Sequence, residues 1–456
     1  MYATVPTHHS FTPDLSAWGF SRATTLQRFA LALVWLAVAS GAVVFTEPAP
    51  VDLLTMGLIV GLPLVGLVVV PTALWIVAGV WAICGACALI ASAFAPDLAK
   101  AATHTGVSIY LYAAFFVFAG FVAKRPKEHT KLILDAYLWA AFIGAVAGVV
   151  GYFNLLPGAF DLFTRYGRAT GTFKDPNVFG PFLVPALIYA LHKVLNEPLQ
   201  RTLLPGVMML FLSFAILLSF SRGAWFNAAI ALTVYLYFSF ALAPSNRQRV
   251  KLVLLGGFAI MAGAGVLAAS TQLEGVGELL SHRAAMTQSY DVGPQGRFGG
   301  QEKAQGLILD NPLGLGAMVF ATVHHHEDVH NVYLTLFLSA GWIGGLAFAA
   351  LVGVTAVWGL WHATRQTATQ SLFLIAYAAF LGNAIEGFVI DIDHWRHFYL
   401  EMGIVWGLML SRQKSFADGV LPNPLDPDDR WSTDRFRRIV RRAHGRIVRR
   451  AMPVAA

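Results

Sequence analysis

The sequence predicts an all-α protein that crosses a membrane about twelve times and carries one long loop outside it. Three observations lead there. Of 456 residues, 57% are hydrophobic and only 12% charged, about half the charged share of a soluble domain, which excludes the soluble globular class. Twelve mostly apolar runs are separated by polar breaks, each near the roughly 17–25 residues needed to cross a hydrocarbon core about 30 Å thick. Between the ninth and tenth runs lies a polar stretch of about 60 residues, a length uncommon for a structureless loop and usually functional.

The runs fall near 29–45, 53–70, 72–95, 107–123, 132–153, 180–195, 202–220, 223–243, 251–270, 330–359, 372–390 and 398–411. The chain therefore divides into an N-terminal tail (1–28), spans one to nine (29–270), the long loop (271–329), spans ten to twelve (330–411) and a basic tail (412–456). The first run lacks a small-residue cleavage site and is followed by further spans, so it is expected to stay as an anchor. Cys84 and Cys87, the two cysteines, stand one turn apart in an apolar helix, where small residues pack an interface rather than form a redox pair.

Orientation follows from where Lys and Arg gather in the short loops. Arg22 and Arg28, then Lys124, Arg125, Lys127 and Lys131, then Arg247, Arg249 and Lys251, then Arg412 and Lys414 all fall on one side. Both termini are thus expected in the cytoplasm. The cations that break this rule are informative: Arg165, Arg168 and Lys174 in the fifth connection, Arg222 in the seventh, and Arg283, Arg297 and Lys303 in the long loop. Outward cations of this kind suit an anion, although ordinary headgroup contact is the plainer alternative. Within the long loop, LEGVGELLSHRAAMTQS and GGQEKAQGLILDN are compatible with helix and predict a small helical cap.

Beyond the last run, LPNPLDPDDRW is a linker. Phe436, Ile439, Val440, Ala443 and Ile447 then recur at helical spacing among arginines. This pattern predicts an amphipathic helix on anionic membrane lipids, where each basic residue contributes roughly 1 kcal/mol. No nucleic acid is expected as partner, since the tail is tethered to a membrane.

Chemistry concentrates at 310–345. His326-Glu327-Asp328-Val329-His330 matches H-E-x-x-H, which on a helix sets two imidazoles one turn apart for zinc. A peptidase would need a third ligand, and Glu386 and Glu401 have no motif around them; no metal is expected. His330 is the last titratable group before a long apolar helix, placed to take a proton from an alcohol near neutral pH. Its plainer reading is a helix cap, and Asn331 beside it could hydrogen-bond an incoming oxygen. Arg222, in SFSRGAW, stands between two spans, where a guanidinium is costly unless paired or useful. Arginine grips phosphates with a planar fork and keeps its charge; a salt bridge is the alternative. Arg297 is flanked by glycines, and Arg165, Arg168 and Lys174 could complete a phosphate cradle, pointing to a diphosphate carried on a lipid.

GTFKDPNVFGPF, SFSRGAW, NPLGLG and HNVYLTLFLSAGWIGG, in that order and with a long loop before the last spans, resemble the O-antigen ligase / O-antigen polymerase family. The resemblance covers roughly residues 150–410. It implies a glycosyltransferase of the GT-C type in the bacterial inner membrane, taking a glycan from undecaprenyl diphosphate on the periplasmic side. It assigns Arg222 and Arg297 to the diphosphate and His330 to the acceptor hydroxyl, with inversion and without a cofactor. A ligase acting on lipid A-core is the leading expectation. A polymerase using a second lipid-linked repeat, or a protein O-oligosaccharyltransferase, shares the donor chemistry. A zinc protease and a transporter are the readings from other classes; few acids lie deep in the spans, and no internal repeat favours transport. No outward-facing D-x-D pair is expected to hold a metal, and the triple histidine before Glu327 has no explanation.

Overall fold

The computed structural model describes residues 23–243, 245–270 and 292–411. Arg283, the first of the two helical pieces expected in the long loop, and the amphipathic tail lie outside the described residues.

Among the described residues the protein is all-α apart from one hairpin of two two-residue strands. In chain order the helices are α1 (Thr25–Ala39), α2 (Pro50–Leu64), α3 (Thr72–Ser92), α4 (Leu98–Lys124), α5 (Pro126–Tyr152) and the short α6 (Ala159–Phe163). Strands β1 (Thr164–Arg165) and β2 (Arg168–Ala169) pair antiparallel. Then come α7 (Pro176–Asn196), α8 (Leu203–Leu218), α9 (Arg222–Ala241), α10 (Asn246–Ser270), α11 (Arg297–Asp310), α12 (Val332–Ala363), α13 (Gln370–Glu386) and α14 (Arg396–Leu410). Among the described residues seven helices are long and apolar enough to cross a membrane: α1 with its 3₁₀ extension, α3, α4, α5, α7, α9 and α12. The chain is a many-span membrane protein. Its outer surface carries exposed Leu53, Val60, Trp75, Ile76, Ile343, Leu346 and Val357, as a lipid-facing belt requires.

Helix starts follow local chemistry. Pro50, Pro126 and Pro176 occupy first-turn positions, where a missing N–H costs nothing. Thr24, Asp97, Asp175, Ser221 and Asn331 cap α1, α4, α7, α9 and α12 with side-chain oxygens. The second apolar run is shorter than expected. Helix α2 stops at Leu64, Gly66 is left-handed, and the segment beyond is extended, with Val69 N–H donating to Gly120 O of α4 at 3.1 Å.

Close packing depends on small residues, as helix interfaces in lipid do. Gly403 and Gly407 of α14 lie against the backbone of α4 at Phe115 and Ala119, and Cys84 of α3 donates to Gly344 O of α12 at 3.6 Å. Within the core, Asn227 of α9 donates to both Asn383 Oδ1 and Glu386 Oε2 of α13 at 2.7 Å, and Asn383 donates to Glu401 Oε2 of α14 at 2.7 Å. This buried polar chain ties three helices together.

Helix α12 is broken at Gly341 (φ 67°), and the Asn311–Gly316 loop docks into the break. Leu315 N–H donates to Leu338 O (2.6 Å) and Trp342 N–H to Pro312 O (2.9 Å). A side chain at 341 would meet Pro312 O and Leu313. The NPLGLG and AGWIGG motifs are thus two halves of one contact, which fixes the chain just before His330.

Candidate active site

His330, Asp175 and Arg297 come together at one end of the bundle, where α7, α9, α11, α12 and α14 begin. Helix N-termini present unpaired N–H groups and the positive end of the helix dipole. The site therefore offers helix N-termini as well as arginines to an anion.

The fifth connection joins the α8–α9 turn through Arg168. Its Nε donates to Ser219 O (2.8 Å) and its Nη2 to Asn177 Oδ1 (2.6 Å). Arg168 is buried and braces the wall two to three residues from Ser221 and Arg222. Arg222 opens α9, half-buried, straight after Phe220 in the left-handed region (φ 46°). Gly223 beside it is required, because a Cβ there would meet the Glu386 carboxylate.

His330 has φ 54° and is held by its backbone. Its N–H donates to Asp391 Oδ2 (3.0 Å), Gln301 Nε2 donates to its carbonyl (3.2 Å), and Thr335 Oγ1 donates to Asp391 Oδ1 (2.6 Å). Its imidazole Nε2 lies 3.6 Å from Glu327 Oε2. Burial, and then the positive charge of Arg297, hold the imidazole below its ordinary value of 6.5, against the opposing pull of Glu327, Asp328 and Asp175. A neutral imidazole at pH 7 is the form a general base requires. Asp391 moves the other way, pushed up by burial and by neighbouring Asp393.

Several candidates are held by contacts of their own. Asn331 spends its side-chain oxygen on α12, accepting N–H from Tyr333 (3.2 Å) and Leu334 (3.3 Å), so the cap is Asn331 and not His330. Arg165 donates to Lys174 O (3.0 Å) and lies over Tyr166, Lys174 lies 3.7 Å from Glu47, and Lys303 donates to His324 O. The H-E-x-x-H match is not helical: a π turn ends at His324, and 325–331 is irregular. Glu386 and Glu401 are committed to the asparagine chain. His325 accounts for part of the histidine run, since its ring stacks on Phe320 and its Nδ1 accepts Glu327 N–H (3.2 Å).

Asp391-Ile392-Asp393 is a D-x-D pair, largely buried beside His330, that the sequence expectations do not include. These acids extend the ragged end of an apolar run and are easily read as part of it, yet Asp391 positions His330 directly. Beside them a cavity of about 250 Å³ opens, with Ala37, Val38, Leu111, Ala114, Phe118 and Phe182 on its apolar walls and Glu47, Lys174, Asp175, Asp391, His394 and Arg396 at its charged mouth. Arg396 is anchored there by two bonds to Asp52, at 2.6 and 2.8 Å.

Residues 207–349 match the family model described as O-antigen ligase. Over that stretch the chain is similar to the O-antigen ligase family. That family covers ligases and polymerases, which transfer lipid-linked glycans. The matched O-antigen ligase stretch contains Arg222, Arg297 and His330, whereas Arg168, Asp175 and Asp391 lie outside it. No curated protein matches the chain.

Proposed function

We propose that the protein is an O-antigen ligase of the bacterial inner membrane, with twelve spans, both termini cytoplasmic and the candidate site on the periplasmic side. It transfers a polysaccharide from undecaprenyl diphosphate to lipid A-core. The observation that carries this is a desolvated His330 beside Arg297 at a rim of helix N-termini, next to an apolar cavity.

A diphosphate is already a good leaving group. Its developing charge needs fixed cations, and preorganised electrostatic stabilisation of this kind is often the largest catalytic contribution. Arg222 and Arg297 supply it, so no Lewis acid is needed at the leaving oxygen. Neutral His330 takes the proton of the acceptor hydroxyl as it attacks the anomeric carbon from the face opposite the diphosphate, inverting the centre. The apolar cavity suits the isoprenoid units nearest the diphosphate, with the charged mouth turned to the headgroup.

The test is a lipopolysaccharide gel of the source organism without this gene, complemented by wild type or by His330→Ala. A ligase leaves long chains on the lipid carrier and bare lipid A-core in both the deletion and the mutant. Cores capped by a single repeat would identify a polymerase instead, and an unchanged gel would exclude both.

A further inference from the structure

We propose a divalent transition-metal site, suited to zinc, formed by His104 of α4 with Asp393 and His394 of the α13–α14 loop. Each offers one ligand atom, and these atoms lie within 4.8 Å of one another. Two imidazoles and a carboxylate are a donor set for zinc or a similar first-row ion, not for calcium or magnesium, which take oxygen.

Three independent features support the site. Asp393 is buried, and its carboxylate lies 4.0 Å from His104 Nε2, too far for a hydrogen bond but close enough to share an ion. The donors stand in the partition between two cavities. His104 and Asp393 line a pocket of about 80 Å³, His394 lines the larger apolar one, and the smaller has room for water to complete the coordination. Finally, His394 Nε2 is hydrogen-bonded to Ser108 Oγ at 3.0 Å. This is the outer partner that a ligating histidine usually has. The His104 and His394 rings stack 3.8 Å apart at 26°, so binding the ion must turn one imidazole until both ring planes point at it.

The ion would bolt α4 to the loop whose Asp391 holds the His330 N–H. It is a brace for the general base and takes no part at the diphosphate. None of its three donors belongs to the H-E-x-x-H match at 326–330, although Asp328 of that stretch lines the same small pocket.

The experiment measures zinc bound by the full-length protein in detergent, by equilibrium dialysis against zinc alone with elemental analysis, and repeats it with cobalt to read the ligand-field spectrum. The expected result is one tightly held ion per chain, lost in Asp393→Asn and His104→Ala. Binding in Ser108→Ala, which removes no ligand and should fold normally, is weakened about 10–100-fold. A combined replacement of His324, His325 and His326 by Ala leaves binding intact. Failure of the wild-type chain to hold zinc overturns the proposal. So does zinc that survives Asp393→Asn and His104→Ala, or that vanishes with the His324–His326 replacement.

Discussion

Replacing Asp391 by alanine should disable transfer by releasing His330, without removing a group assigned to the chemistry. His330 sits at φ 54°, a left-handed conformation that costs an ordinary L residue about 1–2 kcal/mol and persists only where surroundings over-determine it. Asp391 supplies most of that determination, accepting the His330 N–H at 3.0 Å and the Thr335 hydroxyl at 2.6 Å. Each bond contributes about 1 kcal/mol if the acid is neutral and up to about 3 if it is charged, together about 2–6 kcal/mol. That exceeds the backbone penalty across most of the range. With the Asp391 bonds gone, the His330 backbone keeps the bond from Gln301 to its carbonyl at 3.2 Å, its ring keeps the 3.6 Å approach to Glu327, and the chain is free to relax. A reacting group misplaced by about 1 Å can cost about 100-fold. The expected result is therefore a loss of about that size in kcat/KM for glycan transfer by protein in nanodiscs, with helical content unchanged by circular dichroism. Asp391→Asn retains one acceptor oxygen and should fall between the two. Near wild-type transfer by Asp391→Ala would refute the claim that this carboxylate sets the base.

His330→Ala should abolish transfer while leaving membrane insertion and thermal stability near wild type, because the fold uses the backbone of His330 and not its ring; normal transfer would remove it as the base. Since burial and Arg297 lower the His330 pKa, the base stays neutral below pH 6.5. The acid limb of the kcat/KM profile should then lie below 6.5, and Arg297→Gln should move that limb to higher pH while also cutting the rate. A limb at or above 6.5 in wild type would contradict the assignment. Arg222→Lys should be severely impaired, since a point charge does not replace a planar fork; full activity in a gel of the complemented strain would mean that charge alone suffices. Gly223→Ala places a methyl against the Glu386 carboxylate and should destabilise the protein by about 1–3 kcal/mol, read as a lower unfolding temperature in detergent.

The long helices were readable because apolar length is a strong signal and little else produces it. Val65–Val70 shows where that signal fails: the segment is as apolar as a span, but its first N–H groups turn back onto α2 and Val69 N–H bonds Gly120 of α4, a partner no local pattern reveals. The same split runs through the site. Arg222 and Arg297 break the charge rule for short loops, and His330 precedes a long apolar run, so each announces itself in one dimension. Asp391 and Asp393 do not, because acids at the end of a span look like an ordinary boundary. His104 is hidden further still, a single polar residue near the start of α4, more than 280 residues from the His394 ring it stacks against at 3.8 Å. Asn331 reads in sequence as a polar neighbour of the candidate base, and the structure adds that its side-chain oxygen caps α12, accepting the N–H groups of Tyr333 and Leu334.

The acids around His330 clarify how such a site could choose its ligand. Arginines and helix N-termini alone would attract any anion and push the imidazole further down. Glu327, Asp328 and Asp175 oppose Arg297 at His330, and Glu47 and Asp52 engage Lys174 and Arg396 at the cavity mouth. With the charges so nearly matched, net attraction is weak, and binding depends on whether a ligand's oxygens meet the guanidinium planes in the right places. On the proposed function, a diphosphate whose isoprenoid tail is already seated in the apolar cavity meets that condition. A free phosphate lacks the tail, and the same acids repel it. Selectivity for the lipid-linked donor then comes from coupling two weak requirements, and this is why the apolar cavity and the arginine rim belong to one site.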